Sequence, residues 1–170
     1  MKILTLAALL VLIPLAARAA TAVASIKGTA DNSPISGTVT FEDTKKGLKV
    51  VAKLAGLPPG EHGFHIHEFG ACSEAGKAAG GHFNPMNSPH GLVTKVGMKK
   101  AHAGDLGNIT VGGDGTATLE AVLPHETVTG GKYDVAGRAV VVHEKADDFG
   151  QPVGNAGGRI ACGVIGISAN

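Results

Sequence analysis

The amino-acid sequence predicts an all-β fold, an antiparallel sandwich or flattened barrel of eight short strands. Glycine is abundant, with 26 residues in a chain of 170, and aromatic residues make up only 4%. Short stretches of β-branched residues alternate with turn residues, which is typical of many strands and little helix. About 150 residues without a detectable repeat form one domain that is large enough to bury a core.

The predicted strands follow one another along the chain and are separated by residues that favour turns. Their ranges are 22–30, 35–43, 48–55, 61–69, 107–111, 115–123, 137–144 and 160–167.

Two polar segments interrupt this rhythm. Residues 70–104 carry Gly, Pro, His and Lys without a convincing period, and a loop of that length is uncommon in a compact domain unless it is functional or clamped. Residues 145–158 form a second Gly-rich loop after a strand that ends at His143. We therefore predict two long functional loops.

The first residues differ in composition from the rest of the chain. An apolar run from Ile3 to Ala17 is followed by small residues around Arg18, which predicts a signal peptide over residues 1–19 and a mature domain over 20–170. A membrane anchor is the alternative, but about 15 apolar residues are fewer than the roughly 20 that span a bilayer. Cleavage removes Lys2 and Arg18 and leaves 13 basic against 14 acidic residues. This balance predicts no nucleic-acid partner. Release by cleavage of the signal peptide predicts no membrane partner afterwards.

Two histidines lie on the fourth predicted strand. Because side chains alternate along a strand, His65 and His67 share one face while Phe64 and Ile66 share the other. One face can pack in a core and the other presents two imidazoles. An isolated His-x-His motif is equally compatible with two solvated histidines on an edge strand.

Further donors in the first long loop favour a metal. His82 and His90 are separated by turn-forming residues, and His102 and Asp105 follow. Three imidazoles and one carboxylate close a tetrahedral shell, which is what structural zinc requires. Each histidine alone is compatible with a loop or surface residue.

His143 ends the most apolar strand of the chain, residues 139–143. It could be a hydrogen-bonded core histidine. As a further imidazole beside His65 and His67 it would complete an all-nitrogen site, which suits Cu(II).

The chain contains two cysteines, Cys72 and Cys162. In an exported protein such a pair favours one disulfide over two free thiols. A zinc–thiolate site is less well supported, because neither cysteine has a second one at ligand spacing.

Five segments resemble, in order, the signature segments of Cu/Zn superoxide dismutases: GFHIHEFG at 63–70, GHFNP at 81–85, HAGDLGN at 102–108, VVHEKADD at 141–148 and GNAGGRIACGVIG at 154–166. The resemblance covers essentially the whole predicted mature chain. It implies a Greek-key, immunoglobulin-like sandwich or flattened barrel.

The resemblance also implies site residues and one copper and one zinc ion per subunit. Asp147 would link His65 to His90, Arg159 would guide the substrate above copper, and Cys72 would pair with Cys162. The copper ligands implied are His65, His67, His82 and His143, and the zinc ligands are His82, His90, His102 and Asp105.

The implied activity is disproportionation of superoxide to dioxygen and hydrogen peroxide, with copper cycling between Cu(II) and Cu(I) and His82 as the bridge and proton donor. An exported protein that binds or delivers copper without catalysis is the alternative. A homodimer is compatible with the resemblance. Four features resemble bacterial periplasmic members: the nine residues between Cys72 and His82, the short loop 149–155, the Gln151-Pro152 pair and the signal peptide.

The short loop lacks counterparts of the charged residues that steer superoxide in eukaryotic members. Lys95, Lys99 and Lys100 are candidates for that role, and ordinary solvated lysines are an equal alternative. We assign His62 and His125 to structure or surface, with no metal role.

Overall fold

The computed structural model describes residues 19–169, so nearly all of the predicted signal peptide lies outside the described residues. Its eight strands match the predicted ones with shifts of at most two residues at their ends. They are β1 (Thr21–Gly28), β2 (Ser36–Thr44), β3 (Gly47–Ala55), β4 (Gly60–His67), β5 (Asp105–Val111), β6 (Ala117–Leu123), β7 (Ala139–His143) and β8 (Arg159–Ile167).

The strands close into one barrel in the order β1-β2-β3-β6-β5-β4-β7-β8. Each described pairing is antiparallel. The pairing of β3 with β6 and of β4 with β7 requires connections that cross the barrel ends, which is the Greek-key pattern. The predicted all-β, eight-stranded fold is confirmed, and closure pairs both edges of each of these strands.

Alternation along β4 positions the functional face. Phe64 and Ile66 are each 1% exposed and pack in the main core, whereas His65 and His67 face the other way. Both histidines are nevertheless 0% exposed, because the first long loop covers them. The alternative of two solvated edge-strand histidines is therefore wrong.

The loop between β4 and β5 docks through backbone pairing and a small apolar cluster. Ile66 N–H donates to Gly104 O and Phe83 N–H donates to Ile66 O, both at 2.9 Å, so two loop segments meet at the end of β4. A Cβ at Gly104 would overlap Ile66 O, so only glycine permits this approach. The loop also contains a 3₁₀ turn, Lys77–Ala79, and a short helix α1, Val93–Val96, which the sequence did not predict.

A second contact fastens the loop to the outside of the barrel. Ala79 of the loop packs with Ala139 and Val141 of β7 and with Cys162 of β8. Cys72 forms a disulfide with Cys162 at the same place. The clamp that a loop of this length needs is thus part apolar and part covalent.

None of the helices that the structure describes is long and apolar enough to cross a membrane.

Glu126 is an acidic side chain buried in the connection between β6 and β7. It is 1% exposed; its Oε2 accepts the backbone N–H of His125 at 3.1 Å, and its Oε1 finds no hydrogen-bond partner among the described residues. Burial raises the pKa of Glu126 above its ordinary value of 4.5. An ionised carboxylate here opposes folding.

We predict that Glu126→Gln stabilises the protein at pH 7 by about 1–3 kcal/mol, because a neutral amide avoids the cost of burying an ionised carboxylate. The folded state holds this proton more tightly than the unfolded chain, so stability falls as pH rises from 4.5 through the higher folded pKa. Urea unfolding at pH 7 and pH 4 should show the gain at pH 7 alone. The exposed Glu120, which pairs with Lys49 at 3.0 Å, provides the control Glu120→Gln, with a change within about 0.5 kcal/mol. An equal gain at both pH values would contradict the prediction.

Candidate metal centre

Neighbouring strands and the first long loop bring six histidines and two aspartates together. His65 and His67 come from β4, and His143 ends the adjacent β7. His82 reaches β4 through an antiparallel bridge with His67. His90 and His102 come from the same loop, and Asp105 begins β5 opposite His65. Register shifts beside His65 and His143 interrupt the regular pairing at the site.

The ligand atoms form two groups, each with its atoms within 4.8 Å of one another. The four-imidazole group consists of His65, His67, His82 and His143. The carboxylate group consists of His82, His90, His102 and Asp105.

Hydrogen bonds orient two rings of the four-imidazole group. His67 Nδ1 donates to Gly80 O at 3.0 Å and His143 Nδ1 donates to Gly157 O at 3.4 Å. With the protons on Nδ1, both Nε2 atoms carry lone pairs, and these atoms lie 3.2 Å apart. Two buried lone pairs at that distance repel each other unless a cation lies between them. The orientation therefore suits a metal ion.

The donor atoms of the carboxylate group lie at, or somewhat below, the spacing expected for a tetrahedral zinc site. Asp105 Oδ1 lies 2.7 Å from His82 Nδ1 and 3.1 Å from His102 Nδ1. The His82 and His102 Nδ1 atoms are 3.4 Å apart. Zinc–ligand bonds of about 2.0–2.1 Å in a tetrahedron separate ligand atoms by about 3.3–3.4 Å. Backbone N–H groups of Gly91 and His102 donate to Asp105 Oδ2, each at 3.0 Å, and hold the carboxylate in place.

Two buried nitrogens test whether these groups fit metal ions. His65 Nδ1 and His90 Nδ1 have no hydrogen-bond partner among the described residues. His90 Nδ1 lies 2.8 Å from Asp105 Oδ2, but without hydrogen-bond geometry. Orphaned buried nitrogens are costly in a protein interior, and a metal ion would satisfy both. The residues present fit two metal ions.

Asp147 connects the two groups by contacting one histidine of each. Its Oδ2 accepts from His65 Nε2 at 2.8 Å and lies 2.9 Å from His90 Nε2. These contacts leave the Nδ1 atom of each ring free to face the site. Asn108 holds the Asp147 backbone through two hydrogen bonds of 2.7 and 2.9 Å, which the sequence did not predict.

Electrostatics differ between the two groups. Burial lowers the pKa of His65 to about 4, of His67 to about 2 and of His143 to about 3, so these rings are neutral at pH 7. Burial also acts on His90, but close contacts with the carboxylates of Asp105 and Asp147 outweigh it and raise the pKa of His90 to about 9. Contacts with His102, His82 and His90 hold the pKa of Asp105 far below the ordinary value of 3.8 despite burial. Contacts with His65 and His90 do the same for Asp147.

Arg159 lies opposite His143 in the β7–β8 pairing. Its guanidinium donates to Gly76 O at 2.6 Å and to Gly80 O at 2.5 Å, and Gly80 O also accepts from His67. Its positive charge contributes to the lowered pKa values of His67 and His143. Arg159 therefore connects the first long loop, the disulfide region and the four-imidazole group.

The three lysines that the sequence offers for steering lie to one side of the two groups. Lys95 and Lys100 line a cavity with His90 and Phe149, and Lys99 lines another with Met86. His125 is exposed and lines that second cavity.

His62 is 4% exposed and lies outside both groups. Its Nδ1 is 2.8 Å from His143 O and its Nε2 is 2.9 Å from Pro58 O. This is a buried structural position.

Comparisons with known proteins agree with this geometry. The family profile described as Copper/zinc superoxide dismutase (SODC) matches residues 35–165. The chain is 41% identical over 162 residues to the extracellular superoxide dismutase [Cu-Zn] of Brugia pahangi, an alignment that covers 89% of this chain and 78% of that protein. This chain belongs to the Cu/Zn superoxide dismutase family.

A solved structure adds support for the fold. The crystal structure of the clock protein EA4 superposes with a TM-score of 0.78 at 38% identity and covers 92% of this chain and 100% of that one. The chain is therefore a superoxide dismutase of the Cu/Zn type, and its family implies one copper and one zinc ion.

We predict that Gly154→Ala disrupts the link between the two groups. A Cβ there would overlap the Asp147 carboxylate and lie 2.6 Å from His90 Nε2. Gly137 is a matched control, because its φ of +79° equals that of Gly154 within a degree and a Cβ there meets nothing within 4 Å. Gly137→Ala should cost about 1–2 kcal/mol of unfolding free energy from backbone strain alone. Gly154→Ala should cost clearly more and reduce the bound metal measured by mass spectrometry; equal effects would contradict the prediction.

Proposed function

We propose that this superoxide dismutase binds copper at the four-imidazole group and zinc at the carboxylate group. Copper would be held by His65, His67, His82 and His143, and zinc by His82, His90, His102 and Asp105. An all-imidazole donor set suits copper, and three imidazoles with one carboxylate in a closed tetrahedral arrangement suit structural zinc.

One observation carries this assignment. His82 belongs to both groups of ligand atoms. Its Nδ1 faces Asp105 at 2.7 Å, while its ring centroid lies 4.1 Å from that of His65 in the other group. A single imidazole with one nitrogen toward each group can bridge two metal ions.

Copper would supply the redox chemistry, taking an electron from one superoxide as Cu(II) and giving it to a second as Cu(I). The chain then has three tasks: to hold the ligands, to admit a small anion and to deliver protons to the nascent peroxide. We assign proton delivery to His82, because its Nε2 can hold a proton while Nδ1 stays on the zinc side. Asp147 would hold the rings of His65 and His90 in fixed orientations throughout the reaction.

The assignment is tested by single-ligand variants. His143→Ala should lose copper and superoxide-consuming activity while zinc remains. Asp105→Ala should lose zinc and loosen the first long loop while copper still binds. Metal content by mass spectrometry and superoxide consumption are the measurements, and His125→Ala, which changes an exposed histidine outside both groups, should leave them unchanged. Unchanged zinc in the Asp105 variant would overturn the zinc site.

The same experiment addresses the alternative of a non-catalytic copper-binding or copper-delivery protein. Wild-type protein that holds both metals but consumes no superoxide would favour that alternative. The position of Arg159 beside the four-imidazole group supports the enzyme, because a guanidinium attracts and binds small anions.

We further propose that Arg159 guides superoxide. Arg159→Gln should lower kcat/KM roughly tenfold and flatten its dependence on ionic strength, because steering by charge is screened by salt. Arg159→Lys keeps the charge but cannot reproduce both hydrogen bonds to Gly76 and Gly80, so it should retain most of the salt dependence. An unchanged ionic-strength slope in the Gln variant would remove Arg159 from this role. Steering by Lys95, Lys99 and Lys100 stays a weaker proposal.

Export and assembly are also proposed here. The relative from Brugia pahangi is named extracellular, which supports export through the signal peptide predicted at residues 1–19 and a mature domain over 20–170. The bacterial features of the loops favour the periplasm. A homodimer is also proposed, and exposed apolar side chains such as Phe69 and Val164 could contribute to its interface.

A further inference from the structure

The loop between β7 and β8 holds His90 at three points. Asp147 contacts its ring Nε2 at 2.9 Å. Phe149 stacks on its ring with the centroids 6.3 Å apart and the planes at 20°. Gln151 binds its backbone: the Gln151 amide Nε2–H donates to His90 O at 2.9 Å, and Gln151 Oε1 accepts His90 N–H at 3.0 Å. One side-chain amide thus pairs with both backbone groups of one residue, as a neighbouring strand would.

His90 depends on this contact more than the other members of the carboxylate group do. His82 is fixed by its bridge to His67, and Asp105 begins β5 and pairs with His65. His102 is three residues from Asp105, whose N–H donates to His102 O at 3.2 Å. His90 lies outside any helix or strand.

The surroundings of His90 make the Gln151 contact costly to lose. His90 is 3% exposed, so water does not readily replace a lost partner. The preceding Pro89 has no N–H, and the following Gly91 donates to Asp105. Any backbone movement that withdraws His90 from the group therefore requires the His90 backbone to separate from Gln151.

We propose that Gln151 is a positioning residue for the metal in the carboxylate group, and that its amide controls how fast this metal is released. The proposal rests on the assignment of His90 as a zinc ligand under the proposed function. Gln151 touches neither metal nor substrate and acts through the His90 backbone. Release of zinc from the first long loop is thereby coupled to opening of the second loop.

Substitutions at position 151 distinguish an effect of the hydrogen bonds from an effect of packing. Methionine has a similar length but neither donates nor accepts as an amide does. Glutamate can accept from His90 N–H but cannot donate to His90 O, so it restores half of the contact. Asn155→Gly is a matched control in the same loop, because it removes hydrogen bonds of 3.1 and 3.2 Å to Asp148 at a residue whose φ of +51° suits glycine.

The experiment measures zinc release from the fully loaded enzyme to a chromophoric chelator at pH 7. We expect at least tenfold faster release from Gln151→Met than from wild type, an intermediate rate from Gln151→Glu, and a rate within twofold of wild type from Asn155→Gly. Cobalt(II) bound in place of zinc provides a second readout. Its d–d absorption bands should shift in the Met variant at saturating cobalt, which a general loss of stability would not produce.

The possible outcomes test the role of Gln151 separately from the zinc assignment. Unchanged release and unchanged cobalt bands in Gln151→Met overturn the role of Gln151. Equally fast release in Asn155→Gly also overturns it, because the effect would then belong to the loop as a whole. Wild-type enzyme that binds no zinc, or a His90→Ala variant that binds it as tightly as wild type, refutes the zinc assignment instead. Should the Met variant fail to fold, the Glu variant tests the same two readouts.

Discussion

The buried carboxylate of Asp105 is the constraint around which the functional half of the molecule is arranged. It is 0% exposed, and a carboxylate at that depth requires charged or hydrogen-bonding partners. Its oxygens meet three imidazoles and two backbone N–H groups, all supplied by the first long loop. The loop can cover β4 only if it supplies these groups to Asp105. The fold of the loop and the geometry of the ligands are therefore determined together.

The rest of the molecule fixes both loops to the barrel around that centre. Cys72 and Cys162 tie the first loop to β8, and Arg159, three residues earlier on that strand, binds the carbonyls of Gly76 and Gly80. Asp147 belongs to the second loop, and its contacts with His65 and His90 attach that loop to the same centre. The second loop is thus linked to the carboxylate group through His90, which contacts both Asp105 and Asp147.

Periodic features could be predicted from the sequence, and contacts between distant loops could not. Alternation assigned the two faces of β4 correctly, and all eight strands could be predicted because short β-branched stretches are separated by turn residues. Nothing local indicated that His65 would be fully buried, since the covering loop has no period. Gln151 was visible only as a residue beside a proline; its two hydrogen bonds to His90 join positions 61 apart. Glu126 is an exception to the rule that acidic residues are exposed, and its burial carries no sequence signal.

The two groups differ in charge, and the difference explains how one scaffold can support two roles. The carboxylate group provides a negative donor and a closed set of four, which neutralises part of a divalent charge and leaves no position for a substrate. In the four-imidazole group, burial lowers the pKa of His65, His67 and His143, so these three rings are neutral at pH 7. A cation held there would be neutralised less than one in the carboxylate group, and it would lie near the Arg159 guanidinium. Two adjacent positive charges in a poorly hydrated site attract a small anion strongly, and the attraction fades with salt. Under the proposed function, redox chemistry on superoxide would therefore take place at the four-imidazole group, and the structural ion would lie at the carboxylate group.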